Sequence, residues 1–234
     1  MAEETLLYIK GSMIHPGSGK IGACPFSQRA MMAFVLKGIP YTPKPISLGQ
    51  NKPSWFLDLN PAGTVPVYVK GDKVVPDSGE IVAYLEKTSP NPSLKVDQVP
   101  EAIRNLKFGK LFGLVKNKDP SLDEEKKNEL VEELEKLDNL LKFSSGEFVL
   151  GNEPSAADCD LLPKLHHARV ANKALKGFEI PKKFEALRRY AEAGDKLPVF
   201  LSTKAEDDEI IFGWKKHWWC NAFLNLTSFM MWHS

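Results

Sequence analysis

A proline-rich boundary splits this chain into two stretches of different periodicity, and that split limits the folds open to it. Residues 88–100 read TSPNPSLKVDQVP, with Pro90, Pro92 and Pro100 and little apolar periodicity. Proline lacks a backbone donor and fixes φ, so the segment reads as a linker. Ahead of it, short apolar runs alternate with helical spacings. Residues 6–10 read as a buried strand. Residues 27–37 read as a helix, with Met31, Phe34 and Val35 on one face and Gly38 as its stop. Residues 42–47 suit only an edge strand, because they contain prolines. Residues 55–59 read as a short helical turn. Residues 65–69 and 73–75 read as strands around a Gly71–Asp72 turn, and residues 78–87 as a helix. The order is β-α-β-α-β-β-α.

Everything after the boundary reads as helical. Ser121-x-x-Glu124 and Ser155-x-x-Asp158 have the form of capping boxes. The first heads a helix with Leu130, Leu134, Leu137 and Leu141 on one face, and the second heads a helix over 161–171. A third helix is expected over 181–193, started by Pro181. The expected domains are therefore an α/β unit over 1–89, a linker over 90–100 and an all-α unit over 101–217. The segment 218–234 is a separate tail. It holds three of the five tryptophans, and Trp219, Phe223, Leu226 and Met230 recur at helical spacing, which suggests a helix docked on the body or an extension without function; no role is assigned to it. Its apolar stretch falls short of the roughly 20 residues needed to span a bilayer.

Composition removes several function classes. Lys plus Arg total 31 against 30 Asp plus Glu, a net charge of +1. This balance gives no footprint for nucleic acid or for a polybasic membrane anchor. Cys24, Cys159 and Cys220 are the only cysteines, too few for a disulfide framework or a four-cysteine zinc site. No metal site is expected: His166 and His167 are chain neighbours that point to different faces, with no evident third ligand. Gly17-Ser18-Gly19-Lys20 lacks both the earlier glycine and the following Ser or Thr of a phosphate loop. The N-terminal residues resemble neither a secretion signal nor a transit peptide, so a cytosolic protein is expected, with the chloroplast as the alternative.

The chemistry concentrates at Gly22-Ala23-Cys24-Pro25-Phe26-Ser27-Gln28-Arg29. A cysteine at a helix start faces unpaired N–H groups and the positive end of the helix dipole, which favour the thiolate. Ser27 stands where a dithiol motif has its second cysteine, so an external thiol must resolve any disulfide formed at Cys24. Val65-Pro66 precedes the strand hairpin, the place for a cis-proline facing that helix start in a thioredoxin-like fold. Asp77-Ser78 heads the next helix and can take a carboxylate; Ser78 is also a candidate N-cap. Cys159, between Asp158 and Asp160, reads as helix packing.

The segments CPFSQR, KPSWFLDLNPAGTVPV, VVPDSGEIVAYLE, PSLK, SGEFVLGNEPSAADCDLLPKLHHARV and IIFGW resemble the glutathione transferase superfamily. Within it they resemble the dehydroascorbate reductases of green plants and algae. CPFSQR and ADCDLLPKLH are equally similar to the chloride intracellular channel family, a sister branch; residues 52–66 and PDSGEI favour the reductases. The resemblance implies a thioredoxin-like domain plus a helical domain, a catalytic Cys24, and a glutathione site built from Phe26, Lys52, Val65, Pro66, Asp77 and Ser78. It places Lys10, His167 and Trp214 near the second substrate. It also implies dehydroascorbate and glutathione as partners, glutathione being a co-substrate, and a monomer without membrane contact. Ala23 stands where plant members commonly carry an acid, and the tail has no counterpart in the family. Two alternatives share these motifs: an omega-like general thiol transferase, and a channel-like membrane-inserting protein.

Overall fold

The computed structural model describes residues 3–48, 52–106 and 108–216, with Phe108 described by its backbone alone. The expected tail and Cys220 lie outside the described residues.

The first unit is built on β1 (Leu6–Lys10), α1 (Pro25–Leu36), β2 (Thr42–Ile46), α2 (Ser54–Leu59), β3 (Val67–Lys70), β4 (Lys73–Val75) and α3 (Ser78–Thr88). The sheet order is β2-β1-β3-β4. β1 pairs with β2 in parallel, and the other two pairings are antiparallel. Alternation along β1 sends Leu7 and Ile9 into the main core with Met31 and Phe34 of α1. Tyr8 faces the opposite side, where its ring lies 5.4 Å from Trp55 and 6.0 Å from Phe56 of α2. α2 thus covers a second, smaller cluster of Ile46, Phe56 and Val67. β2 tolerates Pro43 and Pro45 because it lies at the sheet edge. β3 begins at Val67 rather than Val65, because Val65 and Pro66 stand outside the ladder, joined by a cis peptide bond.

The boundary segment is not a loose tether. Leu94 and Val99 are buried in the core. The buried Lys37 ammonium bonds Glu86 at 2.7 Å and the Pro92 carbonyl at 2.8 Å. Glu86 also accepts from the Ser93 hydroxyl and the Leu94 N–H. Burial raises the Glu86 pKa, but these bonds outweigh it, so the carboxyl sits below its usual range.

The second unit holds α4 (Glu101–Arg104), α5 (Phe108–Lys116), α6 (Asp123–Lys142), α7 (Ala156–Lys176), α8 (Glu185–Gly194) and α9 (Pro198–Thr203). A further helix, α10, covers 207–216. Three expectations need correcting. Ser121 does not cap α6, because Asp119 captures its N–H at 2.9 Å and its hydroxyl at 2.7 Å inside a short 3₁₀ turn. α7 begins earlier and ends later than 161–171. α8 starts at Glu185, since Pro181 opens a turn whose carbonyl accepts from the Phe184 N–H. The second capping box does form: Asp158 accepts from the Ser155 N–H at 2.8 Å and its hydroxyl at 2.7 Å. α1 packs against α7 and α9, so one continuous core joins the two units.

Candidate active site

Cys24 is the N-cap of α1, with extended backbone (φ −151°, ψ 109°) and a half-buried side chain. Its sulfur accepts the Ser27 N–H at 3.4 Å. Pro25 opens the helix without losing a bond. The Ser27 hydroxyl accepts the Lys10 N–H at 3.3 Å, and the Gly22 N–H donates to the Lys10 carbonyl at 2.8 Å. The end of β1 is thereby fastened to both sides of the cysteine. Gly22 is required for this: a Cβ there would lie 2.0 Å from the Gly11 carbonyl oxygen.

Lys10 stands in a mixed field. Desolvation lowers its pKa; the charges of Cys24 and Glu209 work in the opposite direction, while Lys216 adds to the lowering. His167 is buried, and its pKa is pushed down to about 3, first by burial and then by His166 and Lys10. It is therefore a neutral ring beside the Lys10 charge. His166 pairs with Asp207 at 3.1 Å and packs edge-on against Phe200.

The other expected residues lie on the flanking turns. Lys52 lies across Gly63 in the turn ahead of Val65 and Pro66; a Cβ at Gly63 would fall 2.8 Å from its Nζ. Asp77, and not Ser78, caps α3: one oxygen, Oδ1, takes the N–H groups of Gly79 at 2.7 Å and Glu80 at 3.0 Å. Ser78 is buried as the first helical residue. Arg29 of α1 reaches the same helix start, with both terminal nitrogens 3.5 Å from where a Gly79 Cβ would stand. Arg29 also pairs with Asp160 of α7 at 2.9 Å, and Asp160 holds Lys164 at 2.8 Å. The Lys164 ammonium lies 6.0 Å from the Phe26 ring centre.

Trp214 lies on α10. Its ring stacks on Phe112 of α5 at 4.9 Å and 12°, with the Lys116 ammonium 5.9 Å away. Cys159 is wholly buried, and burial raises its thiol pKa far above the usual range. A cavity of about 440 Å³ between α6, α7 and α8 includes none of the expected site residues.

The comparisons with known proteins match this arrangement. Residues 23–88 match the family described as "Glutathione S-transferase, N-terminal domain", and residues 122–193 match "Glutathione S-transferase, C-terminal domain". Glutathione S-transferase DHAR2 of Arabidopsis thaliana is 40% identical over 83% of this chain and 90% of its own length. The crystal structure of Chlamydomonas reinhardtii dehydroascorbate reductase superposes with a TM-score of 0.80 at 35% identity, covering 92% of this chain and 98% of that one. The chain belongs to the dehydroascorbate reductase branch of the glutathione transferase family.

Other relatives of this reductase chain carry "cytosolic" or "chloroplastic" in their names. The chloride intracellular channel homologue EXC-4 of C. elegans superposes with a TM-score of 0.75 at 24% identity, over 92% of this chain and 86% of that one, which is a likeness of fold. Among the described residues no helix is long and apolar enough to cross a membrane.

Sequence reasoning missed two groups at the reductase site. Arg29 was visible in CPFSQR, but nothing local says that it spans α3 and α7. Glu209 is buried and accepts from Ser12, Met13 and Ile14, nearly two hundred residues away. No motif marks it, because its partners are brought to it only by the packing of the second unit.

Proposed function

We propose that this chain reduces dehydroascorbate with glutathione through Cys24. The observation that carries the reading is the cysteine itself, capping α1 within the field of Lys10. A cysteine at this position acts as a nucleophile, whereas a hydroxyl there would only activate bound glutathione for conjugation. Family membership supplies the substrate class.

In this reading the Cys24 thiolate adds to a carbonyl carbon of dehydroascorbate. Water then forms the S–O bond as the S–C bond breaks, and the electron pair leaves with the substrate as ascorbate. Cys24 is left as sulfenic acid. One glutathione displaces that hydroxyl as water and forms a mixed disulfide. A second attacks the glutathione sulfur, releasing glutathione disulfide and the Cys24 thiolate. Ser27 has no part in the exchange because it carries no thiol.

The site residues divide by charge. Lys10 and the neutral His167 face the developing enediolate. The Val65 backbone, two residues ahead of the β3 ladder, pairs with the cysteinyl part of glutathione, with Pro66 beside it. Lys52 and Phe26 flank the tripeptide. The γ-glutamyl ammonium suits the Oδ2 atom of Asp77, since the cap uses only Oδ1. The γ-glutamyl carboxylate suits Ser78 and the α3 start. Trp214 is assigned to the second-substrate side by the family resemblance alone. By the family resemblance the working unit is a monomer, in the cytosol as its cytosolic relative is named or in the chloroplast as its chloroplastic one is.

Steady-state turnover with both substrates tests this. Cys24→Ser should lose at least about 100-fold in kcat while still binding glutathione; retained turnover sinks the proposal. Ser27→Ala should keep most activity. A rate on hydroxyethyl disulfide exceeding that on dehydroascorbate would point to a general thiol transferase instead.

A further inference from the structure

We infer that Glu209 is a positioning residue for Cys24 and Lys10, acting from the second unit on the strap that joins β1 to α1. This rests on the reading of Cys24 as the reacting group.

The strap is residues 11–22. It leaves β1 after Lys10 and returns immediately ahead of Cys24. Its two arms are joined by the Gly11–Ile21 bridge, by the Ser12 N–H on the Lys20 carbonyl at 2.9 Å, and by the Gly22 N–H on the Lys10 carbonyl at 2.8 Å. Little apolar burial holds the strap: residues 14–20 are all exposed. The buried Glu209 carboxylate of α10 anchors it in the second unit. The Ser12 hydroxyl and the Ile14 N–H donate to Oε1, and the Met13 N–H donates to Oε2 at 3.0 Å. The Ser12 hydroxyl in turn accepts the His15 N–H at 2.8 Å. A carboxylate is the only side chain that offers acceptors at both oxygens, so an amide would set a donor against one of these N–H groups.

Charge adds a second role. Burial raises the Glu209 pKa, but the Ser12 hydroxyl, the two N–H groups and Lys10 outweigh it, so the group stays anionic at neutral pH. Among the described residues, the titratable groups whose charges interact with Lys10 are Cys24, Glu209, Lys216 and His167. Glu209 is the anion among them that persists through the catalytic cycle, since Cys24 loses its charge when it becomes sulfenic acid or disulfide. It therefore favours the protonated form of Lys10 in the oxidised enzyme.

The test compares Glu209→Gln, Glu209→Asp and Ser12→Ala. Glu209→Gln should lower kcat/KM for dehydroascorbate about tenfold and move the alkaline limb of its pH profile to lower pH, because Lys10 deprotonates sooner. Ser12→Ala removes one strap bond but keeps the charge, so the limb should stay in place. Glu209→Asp should also keep it, and this variant serves if the amide variant does not fold. Hydrogen exchange at the Met13 and Ile14 amides should quicken about tenfold in Glu209→Gln. An unmoved limb together with unchanged exchange overturns the inference. So does an equal limb shift when Lys10 is already Gln. Exchange needs no substrate, so failure of the unmodified chain to reduce dehydroascorbate would count against the proposed function and not against this role.

Discussion

His167 sets a pH window for stability. Its folded pKa of about 3 lies below the unfolded value of about 6.5. Between those values the unfolded chain binds the proton and the folded chain does not, so stability falls as pH drops below about 6.5. The slope from this one group is about 1.4 kcal/mol per pH unit. His166, also lowered chiefly by burial, acts in the same direction. Urea midpoints should therefore fall from pH 7 to pH 5, and His167→Gln should flatten that fall; an equal slope in the variant would contradict the assignment. The two described cysteines should behave oppositely. Alkylation of the folded chain should label Cys24 and leave Cys159 unmodified, because burial raises the Cys159 thiol. Peptide mapping by mass checks this. At this scale the sequence was legible wherever a residue acts next to its chain neighbours, as Cys24 does at a helix start. Glu209 and Arg29 were not legible, because their roles exist only once distant segments meet.

At the scale of elements, α7 is held at its start by a buried carboxylate. Asp158 accepts from the Ser155 N–H and hydroxyl, from the Val149 N–H at 3.0 Å and from the Tyr190 hydroxyl at 3.0 Å. Burial still raises its pKa, because it outweighs the four donors. Asp158→Ala would strand those donors and should destabilise the chain by about 3–5 kcal/mol. A loss below about 1 kcal/mol by denaturant titration would show that the network matters little. The same pattern of letters failed at Ser121, where a nearer carboxylate, Asp119, took the serine first. Both the N–H and the hydroxyl of Ser121 are spent on Asp119, so neither is left for a box with Glu124. The Pro181 expectation failed similarly, because a proline can open a turn as readily as a helix. The elements of the first unit were legible because period 2 and period 3.6 alternate cleanly there.

At the scale of the molecule, the boundary segment reads as a linker in the sequence but packs as part of the core. Leu94 and Val99 are buried, and Lys37 ties the end of α1 to Pro92 and Glu86. The apolar core continues from Leu7 and Phe34 through Ile103 and Phe112 to Leu165 and Tyr190. Residues 3–216 should therefore unfold in one transition, with far-UV circular dichroism and tryptophan fluorescence coincident. Two separated transitions would show that the units are independent. The same continuity lets α10 hold a strap of the first unit, which is how the second unit reaches the reacting cysteine.

In the proposed reaction Cys24 takes the oxidation from dehydroascorbate and passes it to glutathione. The direct measurement is one turnover without glutathione: reduced chain mixed with dehydroascorbate, ascorbate followed by absorbance, and sulfenic acid trapped with dimedone. One ascorbate per chain and a dimedone adduct confined to Cys24 are expected, both absent in Cys24→Ser. Ascorbate formed with Cys24 unmodified would contradict it.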